Sequence, residues 1–242
     1  MIKGKNLLVF SAHAADYVWR SGGTIAKYVE GGANVTVIVM SFGVRGESNG
    51  LWKKDNPTYE KIRDIRKKET ETAAKILGVN NIEYWDLVDY PIDITKELEE
   101  RVVYTIRKTR PDLIITHDKN DILNFDHNNV HQLVWRASIM SNSSGIITEG
   151  YDVTKQMKIY GFEPHQTEIS GYVPNQIIDI TDVFDKKVKA MECFLGQDHL
   201  IEYYKQRAIM RGNHARRISG NNAYKYAETF ASFYPVVTES LV

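Results

Sequence analysis

Short apolar runs alternate along the chain with stretches in which apolar residues recur every three or four positions. Leu7-Leu8-Val9-Phe10 is a continuous apolar run. It predicts a strand over residues 6–12 that is covered on both faces, as in a parallel sheet. Residues 34–42 read as a second strand, and 82–87, 113–117, 158–162 and 176–181 as further strands. Between them lie helical patterns. Residues 22–32 predict a helix stopped by Gly31-Gly32. Over 59–77, Ile62, Ile65, Glu69, Thr72 and Ile76 mark one stripe, and Gly78 ends it. Residues 95–110 form a helix stopped by Pro111, and 126–141 another. Residues 183–196 and the segment after them read as helical to about Phe233.

Strands alternating with helices predict βαβ units. The expectation is an α/β fold: Rossmann-like, three-layered, with a mostly parallel sheet. The alternation weakens near residue 145. We therefore expect one domain over 1–242, with a core of about 5–145 and a C-terminal helical extension over about 146–242.

Composition narrows the function classes. The chain has 242 residues, 43% hydrophobic and 26% charged, which argues against disorder and low-complexity repeats. Lys+Arg and Asp+Glu both number 31, so no net basic charge points to nucleic acid or an anionic membrane. The one cysteine, Cys193, has no internal partner, which suits a reducing cytoplasm. The apolar run at Leu7–Phe10 is too short for a signal peptide or a spanning helix. We expect a soluble cytoplasmic protein.

In open α/β sheets, ligands bind beyond the carboxyl ends of the strands. Five of the seven histidines, His13, His117, His127, His131 and His165, fall in or after those ends. His13 and Asp16 are three apart at a strand-to-helix turn. With His127 they make a two-histidine, one-carboxylate set, the pattern of a catalytic zinc site. The alternative is that Asp16 caps the next helix and His13 is hydrogen-bonded in a crowded turn. His127 and His131 are four apart, on one helix face. Asp126 either caps that helix or orients a ligand histidine from behind. Glu47 lies with Arg45 in a Gly-bracketed loop, as a functional group or an ordinary solvated pair. His199 and His214 read as structural. No G-x-G-x-x-G follows the first strand, so dinucleotide binding is disfavoured.

Several segments together carry a resemblance. They are Ala12-His13-x-x-Asp16, Gly22-Gly23-Thr24-Ile25-Ala26, Asp126-His127 at a helix start, Ile65-Arg66-Lys67-Lys68-Glu69, Ala73 to Val79 and Ala227-Glu228-Thr229-Phe230. Over about residues 6–235 the chain resembles the PIG-L / LmbE-type zinc enzyme superfamily, whose best-known members deacetylate N-acetylglucosamine conjugates. The resemblance implies one Zn2+ held by His13, Asp16 and His127, with other divalent ions able to replace it.

The deacetylase signature Ala-His-Pro-Asp-Asp is altered. Its base position is Ala15 here, and the histidine of its second signature, His-Pro-Asp-His, is Asn124. General acid–base help is typically worth about 10²–10⁴ in rate, so amide cleavage is expected to be badly impaired. The stretches Ser11 to Gly23 and Ser41 to Trp52 look like a smaller branch, the 4-oxalomesaconate hydratases of bacterial gallate and protocatechuate breakdown. That branch adds water to a carbon–carbon double bond of a tricarboxylic 2-oxo acid. The resemblance implies Glu47 and His165 as its acid–base groups. A polycarboxylate needs cationic anchors, for which Arg20, Arg45, Arg66 and tail arginines including Arg217 are candidates. The tail arginines read equally as a solvated helix face. His131 and Asn124 complete the candidate substrate side.

Three readings follow: a zinc hydratase (a hydro-lyase), a zinc deacetylase with Glu47 or a histidine replacing the lost Asp, and a binding protein that kept the metal. The expected partner is a small polycarboxylate, with neither nucleic acid nor membrane, in a homo-oligomer.

Overall fold

The structure, a computed structural model, describes residues 2–235 and 237. Seven strands form one sheet: β1 (Asn6–Ser11), β2 (Asn34–Ser41), β3 (Asn81–Leu87), β4 (Leu113–His117), β5 (Lys158–Phe162), β6 (Gln176–Asp179) and β7 (Ala227–Ser232). Their spatial order is β3-β2-β1-β4-β5-β7-β6. Strands β1 to β5 are mutually parallel, and β7 runs antiparallel to both β5 and β6.

The helices are α1 (Asp16–Glu30), α2 (Asn49–Trp52), α3 (Tyr59–Leu77), α4 (Lys96–Thr109), α5 (Phe125–Met140), α6 (Phe184–Met191) and α7 (Leu200–Ser219). Helices α1, α3 and α6 pack together, and α4 packs against α5. The core splits accordingly into two layers. Leu7, Val9, Val37 and Val39 belong to the layer containing α1, and Leu8, Phe10, Ile38 and Met40 to the layer containing α4 and α5. Successive side chains of a strand point to opposite faces, and both faces are covered. That is why β1 and β2 are apolar without alternation. Among the described residues no helix is long and apolar enough to cross a membrane.

Two elements differ from the sequence expectation. Helix α1 starts at Asp16, six residues before the predicted 22, and runs through Gly22-Gly23. Gly23 serves a close approach: a Cβ there would lie 2.7 Å from Ile180 Cδ1. The tail is also not helical to Phe233, because Ala227–Ser232 forms β7 within the sheet. The segment after residue 145 therefore continues the sheet and adds α6 and α7 to it.

The carboxyl ends of β1, β2, β4 and β5 lead into the segments carrying His13, Glu47, Asp121 to His127 and His165.

Candidate metal centre and active cleft

The turn after β1 is closed on itself. Ser11 Oγ donates to the His13 carbonyl at 2.6 Å, and the His13 N–H donates to Asp16 Oδ2 at 2.8 Å. The first turn of α5 brings His127 to the same point. His13 Nδ1 lies 3.2 Å from Asp16 Oδ2, His127 Nε2 lies 3.3 Å from Asp16 Oδ1, and the two ring nitrogens are 3.3 Å apart. All three residues are buried, and they group as a possible metal-holding set.

Each histidine is held from behind by a carboxylate. His13 Nε2 is 3.1 Å from Asp126 Oδ2, and His127 Nδ1 is 2.9 Å from Asp121 Oδ2. An ionised carboxylate only accepts, so each ring donates its outer N–H and keeps a lone pair on its inner nitrogen. With those tautomers two inner ring nitrogens and a carboxylate converge on one point, where either protons or a cation must sit. Ligands about 2.0–2.2 Å from a tetrahedral ion sit roughly 3.3–3.6 Å apart, close to the spacings found here. Without a cation, protons take its place. Burial opposes charge on His13, but its hydrogen bonds to Asp126 and Asp16 prevail and raise its pKa to about 10. Asp16 is held well below the usual carboxylate range: burial opposes this, and the His127 charge with the bonds to His127 and His13 outweighs it.

Asp126 orients rather than caps. The N-cap of α5 is Asn124, and Asp126 accepts the backbone N–H groups of Ile92 at 2.8 Å and Tyr90 at 3.0 Å. His117 stacks on His127 with ring centroids 4.0 Å apart. Its Nε2 accepts the Ala12 N–H at 3.0 Å, so that nitrogen is committed to the backbone. Burial, then the His127 charge, lowers its pKa well below the ordinary histidine value.

Glu47 reaches the site from the loop after β2. Asp89 accepts the Arg45 and Gly46 N–H groups and pins that loop. Gly43 has φ +68°, and a Cβ there would lie 2.9 Å from Glu47 Cβ and 3.2 Å from His13 Cβ. Glu47 Oε1 is 3.9 Å from His13 Nδ1 and accepts from Asn124 Nδ2 at 2.6 Å, while Oε2 accepts from Gln197 Nε2 at 3.0 Å.

A cleft of about 230 Å³ opens beside this centre, lined by Asp16, Arg20, Glu47, Tyr90, Asn124, His165 and Gln197 among others. Arg20 donates to Asp121 at 3.1 Å and to the Glu163 carbonyl at 3.4 Å, and its Nε lies 3.7 Å from Asp16 Oδ1 with no hydrogen-bond partner among the described residues. The His165 ring stacks on Tyr203. Burial, then the charges of Arg20 and Arg207, lowers its pKa to about 4.

Four substrate-side expectations are corrected. Arg66 is fully buried, and Phe42 O, Glu69 and Gln197 take up its guanidinium. His131 faces a different groove, with its ring against Phe233 and Nδ1 on the His117 carbonyl. Arg217 is exposed near the end of α7 and outside the cleft lining. Arg45 is likewise exposed and absent from that lining, although its backbone fixes the Glu47 loop. Sequence reasoning missed Asp121, Gln197 and Tyr90. The one local signal was Asp121, six residues before His127 in a polar loop.

Fold and centre together define an α/β enzyme with a histidine–carboxylate cluster that could hold a cation at the carboxyl edge of its sheet. Residues 8–138 match the family described as PIG-L: GlcNAc-PI de-N-acetylase, and the chain belongs to that family. It is 40% identical over 240 residues to a 4-oxalmesaconate hydratase of Pseudomonas putida, covering 98% of this chain and 92% of the relative. The crystal structure of GalB, the 4-carboxy-2-hydroxymuconate hydratase from Pseudomonas putida, superposes with a TM-score of 0.93 at 40% identity, over 98% of this chain and 100% of that one. A diacetylchitobiose deacetylase of Thermococcus kodakarensis is more distant: 26% identical over 197 residues, 80% of this chain and 70% of the relative. The resemblance read from the motifs therefore stands.

Proposed function

We propose that this chain is a zinc-dependent hydratase that adds water to the carbon–carbon double bond of 4-oxalomesaconate or a closely similar unsaturated 2-oxo polycarboxylic acid. The observation that carries the reading is the exchange of bases. Ala15, at the deacetylase base position, is a buried methyl in the apolar core, while Glu47 presents a carboxylate beside His13 from another loop. The full-length similarity to hydratases supports the same substrate class.

His13, Asp16 and His127 would hold the ion. Bound there, zinc would supply a Lewis acid for the substrate's oxo and carboxylate oxygens. Glu47 takes the proton of the attacking water. As the water oxygen bonds to one alkene carbon the other must gain a proton; His165, whose pKa burial and then Arg20 and Arg207 lower to about 4, is neutral at physiological pH and relays that second proton to it, so that H and OH are both accounted for. Arg20 lines the cleft, and its guanidinium is the cation there for a substrate carboxylate. The small cleft also suits a compact acid, since drug-sized ligands occupy pockets of roughly 300–1,000 Å³.

The direct assay is loss of the substrate's conjugated ultraviolet absorbance on adding metal-replete protein. Glu47→Gln keeps size and hydrogen bonding, so its rate should fall by about 10²-fold or more with metal content unchanged. Absence of hydration by wild type defeats the substrate reading, and full activity of Glu47→Gln defeats the base. Elemental analysis should find about one zinc per chain by the three-ligand pattern, lost in a His13→Ala, His127→Ala double variant. We also place the protein in the cytoplasm as a homo-oligomer. The lone Cys193 supports the compartment, and light scattering tests the assembly.

A further inference from the structure

We infer that Gln197 is a positioning residue for Glu47: it holds one carboxylate oxygen while Asn124 holds the other, and so fixes the carboxylate against the metal centre. The inference rests on the reading of Glu47 as the base. Gln197 lies 150 positions along the chain from Glu47, on the 3-10 turn Leu195–Gln197 after α6, and neither the family motifs nor the sequence pattern points to it.

The orientation of Gln197 is forced. Its Oε1 accepts from Arg66 Nη2 at 2.9 Å, and its Nε2 donates to Glu47 Oε2 at 3.0 Å. A guanidinium has no acceptor. Turned over, the amide would set NH2 against guanidinium and oxygen against carboxylate. Arg66 is itself immobile. It is fully buried, donates to Phe42 O at 3.2 Å and to Glu69 Oε2 at 3.0 Å, and lies over the Phe194 ring. A rigid line of contacts therefore runs from the end of β2 through Arg66 and Gln197 to Glu47.

Asn124 closes the other side. Its Nδ2 donates to Glu47 Oε1 at 2.6 Å, and its buried Oδ1 has no partner among the described residues, so Glu47 alone sets the amide. The position that carries a histidine in deacetylases thus serves here as a donor to the substitute base. Both oxygens of Glu47 accept an amide N–H, so the carboxylate is held at two points.

The backbone is shaped to deliver Gln197. Leu195 N–H donates to Glu69 Oε1 at 3.0 Å. A Cβ on Gly50 would lie 2.8 Å from the Gly196 carbonyl, and one on Gly196 would lie 3.0 Å from Leu51 Cγ. The 195–197 turn therefore sits directly on the segment that follows Glu47. A general base must stay within hydrogen-bond reach of the proton it takes, and a misplacement of about 1 Å can cost about 10²-fold.

Two variants test this in the intact metal-loaded enzyme. Gln197→Leu removes the donor at similar volume, and kcat should fall about 10- to 100-fold with KM little changed. Gln197→Glu keeps the shape and still offers Arg66 an acceptor, so it preserves the fold. It sets a second carboxylate against Glu47, and like charges in contact cannot both ionise freely. The acid limb of the kcat profile should move up by roughly one pH unit or more, with greater loss at pH 7 than at pH 9. Melting temperature and metal content monitor folding. A wild-type kcat and pH profile in both variants, with only the melting temperature changed, would overturn the inference. Glu47→Gln separates the failures. If it is inactive while the Gln197 variants behave as wild type, the positioning role alone falls; if it is fully active, the base and its clamp fall together.

Discussion

Asp121 holds His127 through Nδ1 at 2.9 Å and Arg20 through Nη1 at 3.1 Å, so one carboxylate fixes both a histidine of the proposed metal set and the guanidinium of the cleft. Its own pKa lies below the usual carboxylate range: burial opposes this, and the His127 hydrogen bond and the Arg20 charge outweigh it. Asp121→Asn puts an amide there, which no longer compels His127 to donate from Nδ1. Carboxylates behind ligand histidines are typically worth about 10–100-fold in metal affinity, and a loss of that size is expected in a chelator competition. Unchanged affinity would mean that stacking on His117 alone orients the ring. His165 belongs to the same scale. Its pKa is held down at about 4 by burial and then by Arg20 and Arg207, whereas an unconstrained ring titrates near 6.5. Between these values the unfolded chain binds a proton that the folded chain does not. Its contribution is therefore present above pH 6.5 and lost as the pH falls toward 4. Urea midpoints at pH 7.5 and 4.5 should show wild type losing more stability than His165→Gln across that span, and an equal loss would refute it. The convergence of His13, Asp16 and His127 was legible because His13 and Asp16 share one short turn and His127 falls at a helix start. Asp121 was not, because only the folded loop turns it onto His127. Arg66 misled because the stripe of α3 does not announce that an arginine in it points inward; Glu69, three residues on, was the one hint.

At the scale of elements, strands β1, β2 and β4 were legible because residues buried on both faces leave apolar runs, whereas the edge strand β3 is mostly half-buried and carries Glu83 and Asp86 among its Ile, Tyr, Trp and Leu. Strand β7 was not legible. Ala227-Glu228-Thr229-Phe230-Ala231-Ser232 carries one large apolar residue and a charge, and its pairing with β5 and β6 is tertiary. The charge is buried with partners. Glu228 accepts from Lys187 Nζ at 2.6 Å and from the Gly23 and Thr24 N–H groups at 2.9 and 2.7 Å. One side chain thereby ties β7 to α6 and to the middle of α1, the helix that begins at Asp16. Both members of the ion pair have side chains only 3% exposed. Glu228→Ala leaves the Lys187 charge buried and unpaired, which should cost about 3–5 kcal/mol in urea unfolding, the range for breaking a buried pair. A cost below about 1 kcal/mol, that of an exposed pair, would show that Lys187 has another outlet.

The whole molecule is a scaffold shared by hydratase and deacetylase relatives, so the distinction must lie in a few positions at one sheet edge. Two of them are Ala15 and Asn124. Ala15 is the N-cap of α1 and is buried, and Asn124 is spent on Glu47. Restoring both deacetylase residues in an Ala15→Asp, Asn124→His variant therefore has two opposed effects. It adds a carboxylate beside His13 and Asp16, and it removes the donor to Glu47 Oε1. The second effect should lower hydration about 10-fold or more, as for a displaced base. The first should yield at most a trace of acetate from diacetylchitobiose, because the cleft of about 230 Å³ is still shaped by Arg20, Tyr90 and Gln197. Acetate release and ultraviolet decay measured on one preparation give both numbers. Robust deacetylation by the double variant would show that two side chains alone separate the activities. Near-zero rates in both assays with metal retained place the remaining difference in the cleft wall, where the C-terminal segment contributes His165 and Gln197.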